Sequence, residues 1–196
     1  MKDQKVDRRI RYTKSVLRQS LLELLKTRPV SQITVKELCE YADINRGTFY
    51  SHYSNPQDLL SQIENEFIDN ISRLLKKNPS AKPLRRNFSN FDVALEIFEY
   101  IKDNSDICMI ILGEHGDAEF IKNAMLIAKD RCFNEWESFV GPGGAAVHGY
   151  LYDFIASGSA AMIQRWVFGG VKESPKEMAE ILYKFVNSGL SGFAPE

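Results

Sequence analysis

The stretch from Thr34 to Tyr53, TVKELCEYADINRGTFYSHY, decides the fold. It divides into two short helices around the turn Asp43-Ile44-Asn45. The first opens on Thr34, whose hydroxyl caps while Glu37, three positions on, reaches back in a Thr-x-x-Glu capping box. Val35, Leu38, Cys39 and Ala42 mark its inward face, and Lys36 and Glu40 its outward one. Ile44 supplies the apolar contact that lets two helices cross steeply, and Asn45 is a good N-cap for the second. That second helix carries Arg46, Thr48, Tyr50, Ser51 and His52 within seven residues. A helix that only plugs a core has no use for so many hydrogen-bonding side chains. The pattern is that of a helix-turn-helix whose second helix enters a DNA major groove.

Within the second helix, Phe49 and Tyr53 stand four residues apart and belong to the core. Thr48 and Tyr50 project differently, and each is able to donate to a phosphate or meet a thymine methyl. His52 either does the same or is a solvated histidine. Gly47 costs about 1 kcal/mol relative to alanine in a helix. Its place in the first turn points to a close approach to the backbone, by DNA or by a packed helix. The candidate DNA-contacting residues are therefore Thr34, Lys36, Asn45, Arg46, Gly47, Thr48, Tyr50, Ser51 and His52.

Working outward, Ile10, Leu17, Leu21, Leu24 and Leu25 recur at helical spacing, which predicts a helix from about Asp7 to Lys26. Arg28-Pro29 ends it. On the other side, Asn55-Pro56-Gln57-Asp58 starts a fourth helix, with Asn55 as cap, Pro56 in the first position and Asp58 against the positive end. Leu59, Leu60, Ile63, Phe67, Ile71 and Leu74 carry it to about Leu75. Its N-terminus offers amides to a phosphate.

The segment from about Arg9 to Leu60 resembles the DNA-binding domain of TetR-family regulators. The resemblance rests on Ile33-Thr34-Val35, Leu38, Ala42, the run Ile44 to Tyr50, His52-Tyr53 and Asp58-Leu59-Leu60. It implies a three-helix head on a linking helix, followed by an all-helical regulatory and dimerisation domain. It also implies that Thr34, Arg46, Thr48, Tyr50 and His52 face an operator, mostly at its backbone. Many members carry a lysine where this chain has Pro56, so the resemblance does not carry that phosphate contact over, although the backbone amides at the helix start remain available. The basic N-terminal arm (Lys2, Lys5, Arg8, Arg9) offers a replacement. The C-terminal half, with W-x-x-G-G ending at Gly170, resembles a Firmicutes-type subset of the family. Some members of that subset work with a protein co-activator.

Lys76–Asn90 is polar, basic and twice interrupted by proline, and reads as a connector. Helices are predicted at about 91–103, 105–112, 117–139, Ala145–Phe168 and Ser174–Ser188. Gly141-Pro142-Gly143-Gly144 is a loop between helices, since it has no G-K-S/T and no preceding strand. The expected architecture is all-α with about nine helices. A DNA-binding domain occupies 1–54, a linking helix 55–75, and an effector and dimerisation domain 76–196. The small-residue patch Ala156–Ala161 lets another helix approach closely, which points to a homodimer through the last two helices. Candidate residues for lining a ligand pocket are Phe98, Met109, Phe133, Trp136, Tyr150, Phe154 and Trp166. Such side chains at helical spacing also serve as plain core.

Composition narrows the function classes. Residues 1–53 hold 11 Lys/Arg against 6 Asp/Glu, while the whole chain of 196 residues has a net charge of −1. The positive excess sits with the helix-turn-helix, where phosphates reward it. No apolar run approaches the roughly 20 residues of a membrane span, and the N-terminus lacks a signal peptide's apolar stretch. Cys39, Cys108 and Cys132 are scattered, which fits reduced thiols in the cytoplasm and no thiolate metal site. His52, His115 and His148 lack metal-ligand spacing, and no nucleophile or dinucleotide motif occurs. Cys108 with His115 is the one conceivable catalytic pair.

The expected function is DNA-binding transcription regulation without catalysis or cofactor. The working model is a homodimeric repressor released from a palindromic double-stranded operator by a signal at the C-terminal domain. The alternative is an activator, or a regulator controlled by a protein partner instead of a small-molecule effector.

Overall fold

The computed structural model describes residues 2–76, 91–113, 120–122, 124–126 and 145–191. Among them every regular element is helical. The helices are α1 (Lys2–Leu25), α2 (Val35–Ala42), α3 (Arg46–Tyr50), α4 (Pro56–Lys76), α5 (Phe91–Asp103), α6 (Ser105–Ile111), α7 (Ala145–Phe168) and α8 (Pro175–Ser191), with a 3-10 turn at Val30–Gln32. Residues 120–122 and 124–126 are also helical. The connector expected at Lys76–Asn90 lies, past Lys76, outside the described residues. So do the loop at 141–144, His115, Cys132, and most of the helix expected at 117–139, including Phe133 and Trp136.

The chain forms two compact units. The first holds the described residues up to Phe67 together with 110–113, and the second holds the rest. In the first, α1 packs on α2 and α2 on α3. Leu17, Leu21 and Leu25 recur every four residues along α1 and are fully buried with Leu38, Phe49, Leu59, Leu60 and Ile63. In the second, α5 packs along α8, and α7 packs on α8. Phe98 meets Trp166 edge to face at 5.4 Å, and Phe91 meets Tyr183 at 6.0 Å. Tyr152 and Val186 bury a smaller cluster with Leu151, Ile155 and Leu182.

One helix limit differs clearly from expectation. α1 begins at Lys2, five residues before Asp7, so the basic N-terminal stretch is helical and not an extended arm. Its apolar stripe begins only at Ile10, which is why periodicity left the first turns unassigned. Between α7 and α8 the backbone of Gly170 turns left-handed, at φ 86°. The Val171 N–H donates to Trp166 O at 3.0 Å and the Gly170 N–H to Val167 O at 3.1 Å, a glycine-stopped helix end. The W-x-x-G-G pattern is that stop signal. The Trp166 indole N–H closes it by donating to Glu173 O at 3.0 Å.

Candidate nucleic-acid interface

A five-residue helix is too short to hold itself together, so α3 depends on its ends. At the N-terminus the Gly47 N–H donates to Asn45 Oδ1 at 2.7 Å. At the C-terminus the Ser51 N–H donates to Gly47 O at 3.1 Å, and the Ser51 hydroxyl to Thr48 O at 2.6 Å. A Cβ at residue 47 would meet Asn45 Oδ1 at 3.2 Å. Glycine there is thus explained locally, by the cap that folds over it. The preceding turn reverses on Asp43, left-handed at φ 51°, and the Ile44 N–H donates to Cys39 O at 3.0 Å.

The α3 anchor is Phe49, fully buried against Tyr53 at 5.7 Å between ring centroids. Tyr50, the next residue, is 59% exposed and meets Phe49 edge to face at 5.6 Å between ring centroids. Asn45, Arg46, Gly47 and Ser51 are exposed, and Thr48 and His52 are half-buried. Among the described residues no carboxylate pairs with Arg46. One short helix therefore fixes its inner face and presents a guanidinium, hydroxyls and a phenol outward.

The N-terminus of α2 lies beside this in sequence. The Glu37 N–H donates to Thr34 Oγ1 at 3.2 Å, so Thr34 caps as expected. The other half of the capping box is not made, because the Glu37 carboxylate pairs with Arg28. Lys36 is exposed and lies 3.9 Å from Glu40. An exposed pair at that distance contributes little and leaves Lys36 available to an anion.

The start of α4 corrects one expectation. Its amides are not all open to a phosphate. The Asp58 N–H donates to Asn55 Oδ1 at 2.9 Å, and the Ser54 N–H to Asp58 Oδ2 at 2.8 Å. Gln62 adds a bond to Asp58 Oδ1 at 3.1 Å. The Ser54 hydrogen bond, with help from Gln62, holds the Asp58 carboxyl below the ordinary aspartate range. It stays anionic and would repel a phosphate there.

Of the residues considered for a ligand pocket, Phe98, Met109, Tyr150, Phe154 and Trp166 are among those described. Phe98 and Trp166 are buried against each other, whereas Met109, Tyr150 and Phe154 are 44%, 79% and 80% exposed. Phe133 and Trp136 are outside the described residues. Burial pushes the Cys108 thiol up to about 12, so it is protonated at neutral pH and a poor nucleophile. Among the described residues there is no metal-binding group of three or more His, Cys, Asp or Glu, and no helix is long and apolar enough to cross a membrane.

Comparison with known proteins points the same way. Residues 89–188 match the family model for a TetR-type transcriptional regulator C-terminal region, over about half of the chain. An uncharacterized HTH-type transcriptional regulator of Bacillus subtilis, YxbF, is 32% identical over 63 residues, 32% of this chain and 17% of that protein. The HTH-type dhaKLM operon transcriptional activator DhaS of Lactococcus lactis is 33% identical over 61 residues, 31% of this chain and 33% of that one. The matches thus span a third or less of these relatives' own lengths. A TetR transcriptional regulator from Streptococcus agalactiae superposes with a TM-score of 0.64 at 20% identity, covering 94% of this chain and 99% of that one.

Proposed function

Because the chain belongs to the TetR family of transcriptional regulators, we propose that it acts as a homodimer on a palindromic operator, reading it with α3. Each α3 lies in one of two successive major grooves, one helical turn apart. Arg46, Thr48, Tyr50, Ser51 and His52 meet the DNA, with Asn45 and Gly47 bringing the start of the helix close. Thr34 and Lys36 meet the flanking phosphates. The observation that carries this reading is the split within α3: Phe49 fully buried, Tyr50 more than half exposed, and Arg46 exposed with no carboxylate partner among the described residues.

The dimer forms through α7 and α8. Tyr150, Phe154, Ser157, Gly158 and Ala161 make one exposed stripe along α7. Ile181, Phe185 and Ser188 make another on α8. Large apolar side chains alternating with small ones suit a four-helix interface between protomers, where small residues admit the partner's large ones. Residues 1–54 serve as the DNA-binding domain, 55–75 as the linking helix, and 76–196 as the effector and dimerisation domain.

The protein works in the cytoplasm, without catalysis, as a repressor. A signal at the C-terminal domain changes the spacing of the two heads. A coupling of about 1 to 3 kcal/mol is enough to shift operator affinity 5- to 150-fold. A second reading, activation, is favoured by the relative DhaS, an activator by name. A separate alternative is control by a protein partner in place of a small-molecule effector.

Salt-dependent binding tests the interface. The affinity for a duplex should fall log-linearly with salt, at about −0.9 per phosphate neutralised, and Arg46→Ala should flatten the slope by about 1. A slope unchanged by Arg46→Ala would remove that residue from the interface.

A further inference from the structure

Within the first unit, a cleft of about 250 Å³ opens between α1, the chain just after α3, and α4. Its floor is apolar: Leu59 and Ile63 are almost fully buried, and the ring of Tyr53 is 6% exposed. Its rim is charged. Arg18 donates to Glu66 at 2.6 Å across the cleft, linking α1 to α4. Lys14, one turn before Arg18, also lines it and has no carboxylate partner among the described residues. Two like charges at i and i+4 disfavour each other, and one carboxylate compensates only one of them. The cleft therefore carries one unmatched positive charge above an apolar floor.

We propose that this cleft is a binding site for a small monocarboxylic acid with an apolar body. Lys14 and the guanidinium N–H groups of Arg18 not engaged by Glu66 hold the carboxylate. The apolar body lies against the aliphatic stems of Lys14 and Arg18, above the floor of Leu59, Ile63 and Tyr53. Burial, and next the nearby Glu66, raise the Tyr53 phenol above its ordinary value, so it stays neutral and donates a further hydrogen bond. A dianion such as free phosphate brings no apolar body and too much charge. The site is independent of the nucleic-acid reading, and its test uses no DNA.

The test is calorimetric titration of the full chain with sodium benzoate at constant ionic strength, with benzamide as the neutral analogue. One saturable site per chain is expected. Affinity should fall at least about tenfold for benzamide and in Lys14→Glu, which reverses the unmatched charge. Ser15→Phe fills the cleft from its rim and should abolish binding. Both positions are exposed, so neither variant removes packing. Equal binding by both variants, equal binding of benzamide, or no saturation by about 10 mM overturns the proposal.

Discussion

Phe49 and Tyr50 are neighbours in sequence with opposite duties, and substitutions separate them. Phe49→Ala should cost about 3–5 kcal/mol of stability, because a fully buried ring leaves a cavity. Tyr50→Ala and Thr48→Ala should each cost about 1 kcal/mol or less, yet weaken operator binding. Denaturant unfolding combined with DNA titration checks both. Asp58 adds a pH dependence. Its folded pKa is depressed by hydrogen bonds, so its contribution is complete above the unfolded value of about 3.9 and is lost as pH falls through the lower folded value. Asp58→Asn should therefore make acid unfolding less steep in that window, and an NMR titration should place the carboxyl below other exposed aspartates.

At the scale of elements, the caps carry the account. Ser174 and Glu177 form a complete box at the start of α8: the Ser174 N–H donates to Glu177 Oε2 at 2.7 Å and the Glu177 N–H to Ser174 Oγ at 3.2 Å. At the start of α3 the cap is Asn45, whose Oδ1 accepts from the Gly47 N–H. Asn45→Ala should cost about 1 kcal/mol, and Ser174→Ala a similar amount, each read as a lower unfolding midpoint. Only the former should also reduce operator affinity. The sequence was legible wherever the signal was local. Thr34, Asn45, Asn55 and Ser174 marked helix starts, and the four-residue spacing of Phe49 and Tyr53 marked the core. It was silent where a side chain chose a distant partner. Glu37 forgoes half its own cap for Arg28 across the Pro29 turn, and Arg18 meets Glu66, 48 residues away. Neither choice has a periodicity to announce it. The same limit applied to Asp58: its residue type suggested a dipole partner, but not that it would occupy the Ser54 amide.

For the whole molecule, the exposed apolar stripes of α7 and α8 are the surface proposed to join two protomers. Tyr150, Phe154 and Phe185 are each more than 70% exposed, an arrangement that a lone chain in water does not favour. Phe154→Asp combined with Phe185→Asp should convert the proposed dimer to a folded monomer in sedimentation velocity. Operator binding should weaken with it, because one head on one half-site binds poorly. The most direct test of the central claim is selection of bound DNA from a random library by the wild-type protein, repeated with Tyr50→Ala. An enriched inverted repeat with half-sites about one helical turn apart is expected, lost with Tyr50→Ala. No enriched sequence, or one bound equally well by Tyr50→Ala, would contradict it.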